Sequence, residues 1–163
     1  MGKLSPLHVD QLRTIIGSEN VYVDAETLDY FSHDETENLK FLPEVVVKPR
    51  TSEEISAILK LCNAALLPVT PRGAGTGLSG GALPHLGGVL LSTERLNQIL
   101  EIDERNLQVT TEPGVITEVL QNAVKAKKLL QKAEVVVYSG SLIPEQILKI
   151  PKKAKMHDAA GLV

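Results

Sequence analysis

Residues Pro68–Leu91 read PVTPRGAGTGLSGGALPHLGGVLL, a glycine-dense loop between two runs with the character of β-strands, Leu67–Thr70 and Gly88–Ser92. Gly73, Gly75, Gly77, Gly80 and Gly81 are the five glycines of a nine-residue window. Glycine admits positive φ and lets a ligand meet the backbone with no Cβ in between. Consecutive N–H groups in such a loop form a nest for anionic oxygens. Arg72 is the only lysine or arginine in the stretch, so phosphate charge bound there is balanced mainly by amide dipoles. A glycine-rich surface loop on its own is an ordinary turn, and here the density of glycines beside Thr76 and Ser79 favours an anion site.

Two common phosphate motifs are excluded. Gly75-x-Gly77-x-x-Gly80 matches the dinucleotide fingerprint in letters, but that fingerprint needs a helix to begin inside it. Pro84, with Gly80, Gly81, Gly87 and Gly88 around it, forbids one. No Gly-Lys-Ser or Gly-Lys-Thr follows the glycines, which rules out a P-loop.

The surrounding pattern alternates helix and strand. Pro6–Ile16 is predicted to be a helix with Leu7, Leu12, Ile15 and Ile16 on its apolar face, closed by Gly17. Asp24–Phe31 reads as a second, short one. Glu44–Lys48 is a β-branched run, expected to be the first strand. Thr51-x-x-Glu54 is a capping box, after which Ile55, Ile58, Leu59, Cys62 and Leu66 recur at helical spacing. Ile99–Ile102 and Leu107–Thr111 form a hairpin around Asp103–Asn106. Val115–Lys128 is an amphipathic helix with Val119, Leu120, Ala123 and Val124 inward. Val135–Tyr138 reads as a strand and Pro144–Ile150 as a short helix.

Composition narrows the function classes. At 163 residues and 43% apolar content the chain is sized for one ordinary globular core. Its single cysteine, Cys62, allows no internal disulfide and reads as a small buried hydrophobe. The start, Met1-Gly-Lys-Leu-Ser-Pro6, has no apolar signal core, and no run is long enough to span a membrane, so a cytoplasmic location is expected. Residues 1–124 hold nine Lys or Arg against seventeen acids, and residues 125–163 hold eight Lys against three. That basic end reads as a solvated helix face and not a nucleic-acid patch, since no binding motif accompanies it. His8, His33, His85 and His157 are scattered, and with one cysteine no metal-ligand spacing occurs. Asp34 and Glu35 read as solvated loop acids.

Six blocks of the chain together resemble a known family. They are Pro43–Pro49, Thr51–Ile55, Pro68–Ala82, Gly87–Ser92, Asn97–Asp103 and Glu112–Val115. In order and spacing these are similar to the first part of the vanillyl-alcohol oxidase and p-cresol methylhydroxylase flavoprotein superfamily. The likeness is greatest on the branch of glycolate oxidase and the FAD-linked D-2-hydroxyacid and D-lactate dehydrogenases.

The resemblance implies an α+β fold with α/β-like alternation, the first half of a PCMH-type FAD-binding domain, in which a small mixed sheet carries packed helices. It implies that Gly73, Ala74, Gly75, Thr76 and Gly77 offer N–H groups to the FAD pyrophosphate, with Leu78 and the hydroxyls of Thr76 and Ser79 completing the loop. Arg72 then stands at the loop entrance as electrostatic support, a surface ion pair being an equal alternative. Pro113, Gly114 and Val115 match a second, weaker contact near the nucleotide. Residues 73–81 contain no histidine, His85 after Pro84 reads as an exposed loop residue, and non-covalent FAD is the expectation.

The expected organisation is an N-terminal helical segment at 1–40, a partial FAD-binding domain at 41–130 and a tail at 131–163 outside the family, from a truncation or frameshift. The implied activity is oxidation of a 2-hydroxyacid, glycolate or D-lactate in type, to a 2-oxoacid. No catalytic residue is assigned, and the fragment alone is expected to be inactive. Two alternatives stay open: a nucleotide-binding module without turnover, and a subunit of a split enzyme completed by a separately encoded C-terminal half or served by an electron-transfer subunit.

Overall fold

The structure, a computed structural model, describes residues 2–103, 105–124, 135–138 and 155–158. It divides into two compact units, Met1–Asn97 and Gln98–Val163. The mixed sheet with packed helices is the fold class that the sequence predicts.

In the first unit, α1 spans Pro6–Ile16. Pro6 occupies the first helical turn, where its missing N–H costs nothing. Ser5 and His8 close a reciprocal cap: Ser5 Oγ accepts the His8 N–H at 3.4 Å, and His8 Nδ1 accepts the Ser5 N–H at 3.2 Å. Gly17 ends the helix at φ 84°. The buried face is Val9, Leu12 and Ile16, while Leu7, expected on it, is 65% exposed. Val9 takes its place because a 3.6-residue period puts positions 9, 12 and 16 on one stripe.

A short antiparallel strand that the sequence did not reveal, β1 (Val21–Tyr22), precedes α2 (Ala25–Tyr30). Asp24 caps α2 through the Thr27 N–H at 2.8 Å. The expected first strand is therefore β2 (Val45–Val47), followed by α3 (Ser52–Ala64), β3 (Val69–Arg72) and β4 (Val89–Ser92). Thr51 Oγ1 accepts the Glu54 N–H as the capping box requires, but the Glu54 carboxylate takes the N–H of Arg50, at 2.6 Å, in place of Thr51's.

Two residues expected on the inner face of α3 lie outside it. Leu59 is 45% exposed, and Leu66 is 69% exposed at φ 54°. Leu66 is the left-handed residue of a Schellman ending, with Leu67 N–H bonded to Cys62 O at 2.8 Å and Leu66 N–H to Asn63 O at 3.3 Å.

The sheet order is β1-β2-β4-β3, with β1 antiparallel to β2 and with β2 and β3 both parallel to β4. Alternation along the strands makes two faces. Val45, Val47, Val89 and Leu91 pack with Val9, Leu12, Ile16, Ile58, Cys62 and Leu67 from the α1/α3 side. Val46 and Leu90 meet Phe31 on the other. Cys62 is 1% exposed within the first cluster, and burial pushes its thiol pKa up, as a packing role entails. Pro71 is tolerated because β3 is an edge strand, so the missing N–H faces the unpaired side.

In the second unit, β5 (Ile99–Asp103) and β6 (Gln108–Thr111) form the predicted hairpin. The Asp103 carboxylate accepts from the N–H groups of Arg105 and Asn106 at 3.0 Å each and from the Asn106 side chain at 2.6 Å. The bonds to Asn106 hold its pKa below the usual carboxylate value. The next helix, α4, covers Thr117–Ala123, shorter than expected, and residues 125–128 of the predicted helix lie outside the described residues. It buries no side chain: Val119 is 51% exposed and Ala123 is exposed, against the inward positions predicted, while Leu120 and Val124 are half-buried. Val135–Tyr138 is a strand, β7, paired in parallel with β8 (Lys155–Asp158). The helix expected at 144–150 lies outside the described residues.

Leu12→Ala is expected to lower stability by about 3 kcal/mol, as for a fully buried leucine, whereas Leu7→Ala should change it by no more than about 0.5 kcal/mol. Leu66→Gly should raise it by about 1 kcal/mol by removing a left-handed side chain. Urea denaturation of the three variants checks these values.

Candidate functional site

The glycine loop, residues 73–88, leaves the carboxyl end of β3 and returns to the start of the parallel strand β4 without a helix. Ligands of open parallel sheets bind outside the carboxyl ends of strands, where this loop begins. Arg72 pairs with Ser92 in the β3–β4 register, and its carbonyl oxygen accepts the Thr93 N–H at 2.9 Å. The same alternation puts the Arg72 side chain on the Phe31 face of the sheet.

Both ends of the glycine segment are tied to one short stretch, His33–Thr36, that sequence reasoning did not connect with it. Arg72 Nη1 donates to His33 O at 2.7 Å, and Gly80 N–H donates to Thr36 Oγ1 at 2.8 Å. Thr36 N–H in turn donates to Asp34 Oδ1 at 2.9 Å. Phe31, 2% exposed against Val46 and Leu90, anchors this brace.

Arg72 is 7% exposed, with its guanidinium carbon 5.4 Å from the Phe31 ring centroid. Its main hydrogen-bond partner is a backbone carbonyl, so the surface ion pair left open by the sequence is not what forms. Burial pulls the guanidinium pKa down from its ordinary value, with the charge of Asp34 opposing that shift. The Lys48 ammonium also lies near these rings, 4.9 Å from the Phe31 centroid and 5.1 Å from that of Tyr22, and is bound to Glu94 at 2.7 Å.

Gly75 has φ +72°, and a Cβ there would collide with the Arg72 guanidinium. The cation therefore lies directly beneath the loop. Gly73 and Gly81 have nothing within 4 Å of a Cβ position, and Gly77 has only Asp34 Oδ2, at 3.7 Å. Positive φ is absent from all three. Neither strain nor crowding in the protein demands glycine at these positions, whereas a ligand lying against the backbone would. Ala74, Thr76, Leu78 and Ser79 are exposed around this open backbone.

Asp34 corrects the sequence reading. Glu35 is exposed as expected, but Asp34 is 8% exposed, and its Oδ2 is buried without a hydrogen-bond partner. The missed signal is the Asp-x-Thr spacing, in which an aspartate accepts the N–H two residues on. His85 is exposed beyond the buried Leu83–Pro84 pair. Pro113, Gly114 and Val115 form the turn between β6 and α4 in the second unit, with Val115 N–H bonded to Glu112 O at 3.3 Å. An apolar recess of about 440 Å³, lined by Cys62, Leu66, Leu67 and Leu86 among others, adjoins the amino ends of β3 and β4 and offers no charged group. Among the described residues no cluster of potential metal ligands occurs and no helix is long and apolar enough to cross a membrane.

Gly75→Ala is expected to destabilise the first unit by about 1–2 kcal/mol through its left-handed φ, with added cost from displacing Arg72. Gly77→Ala should leave stability within about 0.5 kcal/mol. Thermal melts of both variants, read by circular dichroism, measure the contrast.

Comparison with known proteins places this geometry. Residues 43–143 match the FAD binding domain family. The chain is 42% identical over 120 residues to glycolate oxidase subunit GlcD of Bacillus subtilis, covering 74% of this chain and 26% of that protein. It is 38% identical over 129 residues to a D-lactate dehydrogenase of Anaerostipes hadrus, covering 78% and 27%. With D-2-hydroxyglutarate dehydrogenase of Stutzerimonas stutzeri the identity is 34% over 124 residues, covering 76% and 27%. The chain thus spans about a quarter of the length of the curated relatives it matches. Among solved structures, substrate-bound p-cresol methylhydroxylase superposes with TM-score 0.67 at 26% identity, covering 76% of this chain and 25% of that one. The 4-ethylphenol oxidase of Gulosibacter chungangensis gives 0.66 at 29%, covering 79% and 26%. Family match, relatives and fold agree with the open glycine backbone over a buried arginine: the chain belongs to the FAD binding domain family of PCMH-type flavin oxidoreductases.

Proposed function

We propose that this chain holds FAD, without a covalent bond, through its glycine loop, and that it is the cofactor-binding part of an oxidoreductase that converts a 2-hydroxyacid of the glycolate or D-lactate type to a 2-oxoacid. The observation that carries the reading is the bare backbone at Gly73 and Gly77 above the buried Arg72 guanidinium. A diphosphate needs close N–H donors and a nearby cation, and both are there. The substrate class draws support from the relatives, which are named for glycolate, D-lactate and D-2-hydroxyglutarate, all 2-hydroxyacids.

On this reading the N–H groups of Gly73, Ala74, Gly75, Thr76 and Gly77 take the diphosphate oxygens, and the hydroxyls of Thr76 and Ser79 add bonds from the exposed side. Leu78 packs beside the ligand. Arg72 contributes charge through the loop without leaving its place over Phe31. Held by these residues, FAD would supply the acceptor for the hydride equivalent removed from the α-carbon of the substrate. The non-covalent reading draws support from the side chains around the loop: residues 73–81 contain no histidine, and His85 stands exposed beyond Pro84. No residue is assigned to proton transfer or to binding the substrate carboxylate, and turnover by this chain alone is not expected.

Titration of the full chain with FAD, followed by flavin fluorescence, tests the reading. Saturable micromolar binding is expected, abolished in Gly75→Val and weakened several-fold in Thr76→Ala. A chain shown folded by circular dichroism that does not take up FAD overturns it.

A further inference from the structure

We propose that Asp34 is a specificity-determining residue of the glycine loop: it favours a diphosphate with a hydroxyl donor beside it, such as the sugar or sugar-alcohol part of a dinucleotide, over a bare inorganic anion. The inference rests on the cofactor reading above and adds to it a residue and the ligand group that residue takes.

The starting observation is an unbalanced carboxylate. Asp34 is 8% exposed, and one of its oxygens, Oδ1, accepts the Thr36 N–H at 2.9 Å. Oδ2 is buried and accepts nothing. A carboxylate oxygen removed from water and left without a donor is among the most costly arrangements a side chain can hold, and such groups mark a strained or functional position. Arg72 offsets its charge from nearby but gives Oδ2 no hydrogen bond, since Nη1 is bonded to His33 O and no ion pair joins the two side chains among the described residues. The brace under the loop therefore carries one positive and one negative group, each with bonding capacity left over.

The position of Oδ2 indicates what completes it. Its neighbour on the loop side is the bare Cα of Gly77, where a Cβ would stand 3.7 Å away. Gly77 has no positive φ and has room for a methyl group, so the missing side chain serves approach to this point. A phosphate oxygen arriving there meets a like charge. A hydroxyl arriving there donates to Oδ2 and adds no charge, while the adjacent phosphates stay on the loop amides above Arg72. Oδ2 is buried, so the proposal requires the loop to part at Gly77 when a ligand seats, with its ends still held by Arg72 on His33 and by Gly80 on Thr36. A site built this way disfavours inorganic diphosphate and selects the diphosphate that brings its own donor.

The test is calorimetric titration of the full chain, of Asp34→Asn and of Gly77→Ala with two probes, FAD and inorganic pyrophosphate. Asp34→Asn keeps the shape and removes the charge. It should weaken FAD about tenfold, the loss expected for one charge-assisted hydrogen bond, and leave pyrophosphate unchanged or tighter. Gly77→Ala covers Oδ2 with a methyl and should lower the FAD-to-pyrophosphate preference in the same direction. If Asp34→Asn does not fold, as judged by its melting temperature, Gly77→Ala decides alone. Loss of both probes by the same factor, or an unchanged FAD affinity, overturns the role of Asp34 and leaves the cofactor reading standing. A wild-type chain that takes no FAD overturns the cofactor reading, and the role of Asp34 with it.

Discussion

A guanidinium enclosed by protein needs acceptors and a surface to lie on, and the Arg72 side chain finds both on the Phe31 face of the sheet. His33 O lies 2.7 Å from Nη1, and the Phe31 ring centroid lies 5.4 Å from the guanidinium carbon. Much of the first unit follows from satisfying that one group. The β3–β4 register sets Arg72 beside Ser92, on the face that Val46 and Leu90 share. Phe31 packs on those two residues and carries His33 into position. Gly75 turns over the guanidinium with φ +72° because no side chain fits between them. The loop is thus shaped from below before any ligand is present, which lessens the ordering cost of binding.

Such a site balances an anion with very little net charge. One cation is buried beneath the loop, one carboxylate lies beside it, and the rest of the field comes from backbone N–H groups. Fixed dipoles of this kind act in a low-dielectric floor, where they are stronger than in water and do not have to be gathered from mobile side chains. Lysines and arginines on flexible stems would hold phosphate with less selectivity.

Local signals in the chain are strong wherever a single element decides the outcome. Pro6, Gly17 and the spacing of Leu12 and Ile16 mark α1 to its last residue, and Thr51 with Glu54 opens α3. Asp103 and Asn106 turn the hairpin through bonds only three residues long. Errors come where a residue's fate depends on what stands opposite. Leu59 looks equivalent to its buried neighbours by pattern yet lies at the margin of its helix stripe, and Leu7 lies across α1 from Val9, Leu12 and Ile16. Leu66 continues the helical spacing in sequence but ends the helix in space, since Leu67 must bond back to Cys62 before β3 can begin. β1, with two residues, is too short to carry any periodic signal.

The glycine loop and its family were legible from the letters alone, because the chemistry of the loop is that of its backbone. A bare Cα is a property of residue type, so Gly73, Gly75 and Gly77 mark the stretch for the proposed anion site before any folding is considered. The brace beneath the loop was not legible. His33, Asp34 and Thr36 lie about forty residues before the groups they hold, with 39 between His33 and Arg72 and 44 between Thr36 and Gly80. Nothing local distinguishes Asp34 from the exposed acid next to it. Only closure of the sheet, with Phe31 pressed on Val46 and Leu90, removes Asp34 from water and sets its free oxygen under Gly77. Residue type determined where the loop's backbone is bare, and long-range packing decided which side chains stand beneath it, because burial and charge pairing belong to the folded neighbourhood and to no segment taken singly.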